Sequence, residues 1–134
     1  MADDRLKDVG LLKAGTLSVG QYSGGMRRRM SVALSTIGDP RIILMDEPTT
    51  GMDPVSKKAV WRLIQRCKPG RVIILTTHEM GEAELLSDKL SVIEAGELKC
   101  IGAPLQLKNI YGDGYRVNIL CPTKYAKDVI KNIK

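Results

Sequence analysis

Two short runs of purely apolar residues, joined by an amphipathic segment, place the strongest constraint on how this chain folds. The runs cover residues 42–45 and 72–75. Because apolar residues follow one another without alternation, each run is typical of a strand buried on both faces of a parallel sheet. The segment between them, 54–68, has helical apolar spacing. Its predicted inward positions are Val60, Leu63, Ile64 and Cys67. Strand, helix and strand predict a parallel βαβ unit with a right-handed crossover, and hence an α/β fold.

Further helices and one hairpin are predicted around this unit. They are helices at 3–9, from Gly25 to about 37, at 79–86 and at 103–110, a loop at 11–22, and a hairpin of 90–93 and 98–101. The hairpin turn is predicted at Ala95-Gly96, because glycine favours the tight turns of hairpins. The face predicted to be buried on the helix after Gly25 consists of Met26, Met30, Ala33, Leu34 and Ile37.

A change of pattern near residue 112 predicts a boundary between two units. Residues 112–114 read Gly-Asp-Gly, and Pro122 follows a strand-like stretch at 115–121. Lysine-rich sequence from Thr123 predicts a helix. The expected organisation is therefore one unit at 1–112 and the start of a second at 113–134.

Composition excludes several classes of protein. Hydrophobic residues make up 43% and charged residues 27%, as in ordinary globular chains. No apolar run approaches the roughly 20 residues of a membrane-spanning helix, and acidic residues stand where a signal peptide would be basic. The cysteines form no CxxC pair and there is one histidine, so free thiols in a reducing compartment are expected rather than a metal site. The cysteines are Cys67, Cys100 and Cys121.

The net charge of +6 raises the possibility of nucleic-acid binding. Aromatic residues are only 4% of the chain and phenylalanine is absent, so platforms for stacking bases are scarce. The basic residues are spread along the chain, apart from Arg27, Arg28, Arg29 and the lysines near the end. We therefore expect the three arginines to lie on a solvated helix face.

Three side chains able to do chemistry follow the two predicted strands. Asp46 and Glu47 end the first run, and His78 lies just beyond the second. Ligands bind at the carboxyl ends of parallel strands in open α/β folds, so we expect these side chains to lie close together. One carboxylate can hold Mg²⁺, its neighbour can polarise a water, and the histidine can contact phosphate. A solvated loop start and a structural histidine are the alternatives at this point.

Ser23, Gly24 and Gly25 stand directly before a predicted helix. Backbone amides at a helix N-terminus, together with a serine hydroxyl, form a site for an anion. The same three residues can equally serve as a simple helix cap. The motif alone leaves both interpretations open.

The order of these features resembles the C-terminal half of an ABC-type ATPase domain, a partial P-loop NTPase fold. The matching segments are 21–29 around Ser23-Gly24-Gly25, 42–54 around Asp46-Glu47, 75–78 ending in His78, 79–84, and 100–112. The resemblance thus covers about residues 3–112. The arginines after Met26 and the stretch from Cys100 to Gly112 are most similar to the A subfamily of eukaryotic ABC transporters. Members of that subfamily commonly move lipids, and a small β/α regulatory domain follows their ATPase domain.

The resemblance implies ATP and Mg²⁺ as cofactors and a second ATPase domain as partner. Residues 22–26 would form the signature loop, in which Ser23, Gly24 and Gly25 contact the γ-phosphate of ATP held by that second domain. Tyr22 replaces the usual leucine and Met26 the usual glutamine. We expect both departures to be tolerated, because the serine and both glycines remain.

The same resemblance implies roles for the residues after the two strands. Asp46 would be the magnesium residue, through water, and Glu47 would orient the water that attacks ATP. Asp53 would lie at the interface between the two ATPase domains. His78 would contact the γ-phosphate.

The sequence lacks one motif that the family pattern includes, the GxxxxGK[ST] loop that surrounds the phosphates of ATP. The nearest spacing runs from Gly10 to Gly15, but Thr16 and Leu17 follow it without a lysine, and no strand is predicted before it. Hydrolysis is therefore expected to require a Walker A segment from elsewhere. The expected partners are the transmembrane domains of a lipid transporter at the cytoplasmic face of a membrane, with no nucleic acid. We also expect the chain by itself to be poorly soluble or to self-associate.

Two other functions remain open from the sequence. One is a soluble ABC ATPase acting on nucleic acid or ribosomes, which the basic charge favours. The other is a non-catalytic fragment that docks on an intact ATPase domain through residues 23–25 and Asp53.

Overall fold

The computed structural model describes residues 2–112 and the single residues 114, 120, 122 and 125. Two 3₁₀ turns, Leu12–Ala14 and Val19–Gln21, lie within the segment predicted as a loop. The remaining elements are α1 (Ala2–Asp8), α2 (Gly24–Ser35), β1 (Ile42–Asp46), α3 (Pro54–Cys67), β2 (Val72–Thr76), α4 (Met80–Leu86), β3 (Leu90–Glu94), β4 (Glu97–Gly102) and α5 (Pro104–Tyr111). The strand and helix order follows the prediction. Apart from these single residues, the strand predicted at 115–121, the helix predicted from Thr123 and the second unit at 113–134 lie outside the described residues.

The predicted parallel βαβ unit is confirmed. Strands β1 and β2 pair in parallel from Ile42 opposite Val72 to Asp46 opposite Thr76, and α3 connects them. Asp53 caps α3, because its Oδ1 accepts hydrogen bonds from the backbone amides of Val55 and Ser56, each at 3.0 Å. The register is important for function, since it brings the ends of both strands to the same edge of the sheet.

The inward face of α3 forms the centre of the hydrophobic core, as its apolar spacing predicts. The four residues expected there, Val60, Leu63, Ile64 and Cys67, are at most 2% exposed. They pack with Ile43 and Met45, which point to the same side of β1. Cys67 is a free, buried thiol, and Cys100 is a free, half-buried one.

The prediction that β1 and β2 are buried on both faces is wrong for the described residues. Ile42 and Leu44 are 64% and 70% exposed, and Val72 and Ile74 are each 56% exposed. The helices around the core cover only the face that carries Ile43 and its neighbours. The second face of the sheet is therefore open, although its side chains are as apolar as those of the covered face.

The buried face of α2 is only partly the predicted one. Ala33 is buried and Met26 and Met30 are partly buried, but Leu34 and Ile37 are 53% and 42% exposed. Ile37 lies beyond the last helical residue, Ser35, so the helical period no longer governs its direction. The buried face instead continues through Val32 and Thr36, which are 5% and 3% exposed. The core-facing side of the helix is therefore rotated away from Leu34.

The predicted hairpin is confirmed as the antiparallel pair β3 and β4. Ala95 and Gly96 have φ angles of 51° and 80°, the left-handed conformation that tight hairpin turns require. None of the described helices is long and apolar enough to cross a membrane.

We expect the 134-residue chain, expressed by itself, to self-associate. Its parallel sheet has two strands among the described residues, and one of its faces exposes Leu44 and Ile74 beside their apolar neighbours. Exposed apolar faces and open strand edges drive association. Sedimentation velocity is expected to give an average mass above that of the monomer, rising with concentration.

Replacing both Leu44 and Ile74 by lysine is expected to reduce this association. Leu105→Lys is the matched control, because Leu105 is 71% exposed but lies on α5, which packs against β4 of the hairpin. A wild-type chain that remains monomeric and unfolds cooperatively on heating would contradict the prediction.

Candidate functional site

The carboxyl ends of β1 and β2 bring together the three side chains that the sequence predicts to be neighbours. Asp46 is the last residue of β1 and lies opposite Thr76. The Thr76 hydroxyl donates a hydrogen bond to Asp46 Oδ1. This contact orients the carboxylate at the sheet edge and leaves its second oxygen available to an ion or to a water bound to one.

Glu47 continues directly from β1 but turns away from the strand direction. Its φ of 43° is unusual for a residue with a side chain. The Glu47 amide donates to the carbonyl oxygen and to the hydroxyl oxygen of Thr76, both at 3.1 Å. Strand β2 therefore helps to hold the backbone in a conformation that a glutamate would rarely adopt unaided.

Both carboxylate oxygens of Glu47 are engaged by side chains. His78 Nδ1 lies 3.0 Å from Oε1, and the Thr50 hydroxyl donates to Oε2 at 3.0 Å. The hydrogen bond with His78 is the main cause that lowers the pKa of the Glu47 carboxyl, followed by the bond from Thr50, while desolvation and then the charge of Asp46 oppose them. The carboxylate is thus ionised at neutral pH, and ionised carboxylates accept hydrogen bonds, as a residue that orients water must.

The N-terminus of α2 is capped by Ser23 and has open space at its two glycines. Ser23 Oγ accepts a hydrogen bond from the Met26 amide at 3.2 Å. A Cβ placed on Gly24 or Gly25 would meet no atom within 4 Å. The packing of the chain therefore does not require glycine at these two positions, whereas close approach of a ligand to the backbone would require it.

A groove of about 570 Å³ between α2 and β1 connects two of the predicted site residues. Gly24 and Asp46 both line it.

Asp53 has a visible structural role as the cap of α3, and its hydrogen bonds with Ser56 are the largest cause that lowers the pKa of its carboxyl. Within the described part of the chain, no hydrogen bond joins Ser23 or Asp53 to the pair formed by Glu47 and His78.

The arginines after the glycines are not all solvated, which corrects the prediction for two of them. Arg27 is exposed, as expected. Arg28 Nη1 donates to the Thr50 carbonyl at 3.0 Å, and Arg29 Nη1 donates to the Val9 carbonyl at 3.0 Å. A run of arginines gives no sign of such contacts, because their acceptors are backbone carbonyls distant in sequence.

Sequence reasoning also missed residues that support the site. Thr50, Thr76 and the buried Glu82 make side-chain hydrogen bonds in or beside it. Thr76 carried a signal, since it is the polar residue that ends the second apolar run. Glu82 carried none, because glutamate in a helix is usually exposed.

The segment between Gly10 and Gly15 shows no resemblance to a phosphate loop. It follows α1 rather than a strand and contains the 3₁₀ turn Leu12–Ala14. Among the described residues, no group of three or more histidine, cysteine, aspartate or glutamate side chains is placed to hold a metal ion by itself.

Comparison with protein families and with curated proteins gives consistent results. The family described as "ABC transporter" matches residues 2–50. ABC transporter A family member 2 of Arabidopsis thaliana is 51% identical over 119 residues, which is 89% of this chain and 12% of that protein. ATP-binding cassette sub-family A member 2 of Rattus norvegicus is 48% identical over 118 residues, which is 88% of this chain and 5% of that protein. The chain therefore spans a small part of the length of these relatives.

A comparison with solved structures supports the fold. A structure of an ATP binding subunit of an ABC transporter is among those that match, with a TM-score of 0.69 over 81% of this chain and 46% of that one. The sequence identity is 24%, so this likeness concerns the fold alone: the elements described above share the fold of part of that subunit.

Proposed function

Because this chain is a piece of an ABC-type ATPase domain related to the A family of ABC transporters, we propose that it supplies the hydrolytic residues of an ATP-driven transporter. The observation that carries the proposal is the contact of His78 with Glu47 beside Asp46, at one edge of the parallel strands. This arrangement would provide an acceptor for the attacking water, a carboxylate oxygen for Mg²⁺ and an imidazole within reach of phosphate.

The roles follow from what each side chain can reach. Asp46, held by Thr76, would hold Mg²⁺ through water, and this ion would neutralise charge on the phosphates of ATP. Glu47 would accept a hydrogen bond from the attacking water and align it with the γ-phosphate. His78 is largely exposed while Nδ1 contacts Glu47, so its Nε2 would contact the γ-phosphate.

Two surfaces of the chain would meet a second ATPase domain. The open N-terminus of α2, with Ser23, Gly24 and Gly25, would face the γ-phosphate of ATP bound by that domain. Asp53 is exposed where α3 begins, and it would lie at the same interface while it caps the helix.

The remaining parts would come from other segments of the complete protein. A Walker A loop outside these 134 residues would cradle the phosphates. Transmembrane domains would bind a lipid-like substrate and couple its movement across the membrane to hydrolysis. Residues 1–112 would belong to the ATPase domain and 113–134 to the start of a regulatory domain. The names of the relatives as A-family transporters favour this assignment over an ATPase acting on nucleic acid.

Gly24→Asp in the complete transporter tests the role of the α2 N-terminus. We expect ATP hydrolysis to fall more than about tenfold, because a carboxylate there repels the phosphates at close range. Folding should not suffer, since a side chain at this position meets no atom within 4 Å and an acidic residue suits a helix N-terminus. Steady-state ATPase assays with Mg²⁺ in detergent and in lipid would measure the effect.

Gly20→Asp is the matched control, because Gly20 is also exposed but precedes the motif. It is expected to retain wild-type hydrolysis. Equal activity in Gly24→Asp and the wild type would contradict the phosphate-facing role.

The proposed lipid-like substrate needs a separate test. ATP-dependent movement of fluorescent lipids in proteoliposomes is the expected result, and hydrolysis without any lipid movement would count against a lipid cargo.

A further inference from the structure

We propose that Thr50 is a positioning residue for Glu47, and that helices α2 and α4 hold it in place through the turn at residues 48–51. The inference rests on the function proposed above, because it concerns how Glu47 is oriented for hydrolysis. Three sets of contacts around this turn support it.

The first set joins Thr50 to Glu47 itself. The Thr50 hydroxyl donates to Glu47 Oε2 at 3.0 Å, and the Thr50 amide donates to the Glu47 carbonyl at 3.3 Å. Since His78 contacts the other carboxylate oxygen, rotation of the side chain is restricted at both oxygens. Glu47 has a left-handed backbone, a conformation that persists only where surrounding contacts maintain it. The turn at residues 48–51 therefore helps to fix the orientation of the Glu47 carboxylate.

The second set comes from α2. Arg28 Nη1 donates to the Thr50 carbonyl at 3.0 Å. Arg28 lies about one helical turn after Gly24, whose open backbone is the proposed phosphate-facing surface. Thr50 thus connects α2 with Glu47 through two hydrogen bonds: its carbonyl accepts one from Arg28, and its hydroxyl donates one to the Glu47 carboxylate.

The third set holds the turn from the inside. The Thr49 hydroxyl and the Trp61 indole nitrogen both donate to Glu82 Oε1 at 2.8 Å. Thr49 and Glu82 are each 1% exposed. A buried carboxylate needs such donors, and in satisfying it they fix the turn to α3 and α4. Thr50 is therefore held on the α2 side by the hydrogen bond from Arg28, and on the core side by the hydrogen bond between the adjacent Thr49 and Glu82.

Thr50→Val in the complete transporter tests the proposal, because valine keeps the shape of threonine and removes its hydroxyl. We expect kcat for ATP hydrolysis to fall on the order of tenfold while KM for ATP changes less than about twofold, since the hydroxyl contacts Glu47 rather than ATP. Thr50→Ser, which restores the hydroxyl, is expected to regain most of the rate. Thr16→Val, at an exposed threonine in a loop, is the control and should match the wild type.

A double-mutant cycle tests the contribution of α2. Arg28→Met alone is expected to lower kcat severalfold, because the turn loses its outer contact. When Arg28→Met is added to Thr50→Val, little further loss is expected, since both changes release the same carboxylate. Independent effects that multiply would overturn the link between Arg28 and Thr50.

The outcomes separate this inference from the proposed function. If Glu47→Gln abolishes hydrolysis and Thr50→Val does not lower kcat, Thr50 has no positioning role. If Thr50→Val raises KM at constant kcat, or if serine fails to rescue it, the hydroxyl acts elsewhere. Equilibrium binding of ATP distinguishes misfolding from misorientation, and Thr50→Ala repeats the test with a smaller side chain should the valine variant lose binding. Wild-type hydrolysis in Glu47→Gln would instead refute the proposed function.

Discussion

The Glu47→Gln variant of the complete transporter is expected to bind ATP normally and to hydrolyse it roughly a hundredfold to a thousandfold more slowly. Glutamine keeps the length and planarity of the side chain, and its amide can satisfy both existing partners. Its oxygen can face His78 Nδ1, and its nitrogen can donate to the Thr50 hydroxyl. What it loses is the negative charge that, in the proposed role, would polarise the attacking water, so the defect should lie in turnover.

Measurement of bound nucleotide alongside the hydrolysis rate separates these two effects. We expect Glu47→Gln to retain ATP for much longer than the wild type, because the step that releases it is blocked. Glu94→Gln is a suitable control, since Glu94 is an exposed glutamate at the end of β3. Retention of more than about a tenth of wild-type hydrolysis would contradict the role of Glu47, because a general base contributes considerably more than that.

The part of the fold and site that could be predicted is the part governed by local pattern. Purely apolar runs located β1 and β2, and the parallel connection then placed Asp46, Glu47 and His78 at one edge without any knowledge of side-chain contacts. Helix α3, whose apolar spacing was unambiguous, supplies the parallel connection between the two strands. The proximity of these side chains followed from topology.

The predictions that were wrong, and the contacts that were missed, depend on packing between distant segments rather than on local pattern. Continuous apolarity predicts two buried faces, but whether both are covered depends on what packs against them, and Leu44 and Ile74 are exposed among the described residues. Likewise, two contacts that hold the turn join residues far apart in the sequence. Arg28 and the Thr50 carbonyl are separated by 22 positions, and Thr49 and Glu82 by 33 positions. Such pairings depend on how helices pack, and the sequence of either partner carries no trace of the other.

The second large effect is expected for His78→Ala, which should reduce ATP hydrolysis by the complete transporter at least about tenfold. Alanine removes the contact between Nδ1 and Glu47 Oε1, so the carboxylate loses one of its two side-chain partners. It also removes the imidazole proposed to contact the γ-phosphate. ATP binding should weaken modestly, because other parts of the domain hold the remaining phosphates.

A combination of variants tests whether His78 acts together with Glu47. Adding His78→Ala to Glu47→Gln should lower the residual hydrolysis by much less than tenfold, since in the proposed mechanism the two side chains would act on the same water and phosphate. Asn109→Ala, at an exposed position of α5, should behave as the wild type. Unchanged turnover in His78→Ala would remove the histidine from the mechanism. Its contact with Glu47 would then be incidental, and the turn around Thr50 would be left as the side-chain support for the carboxylate.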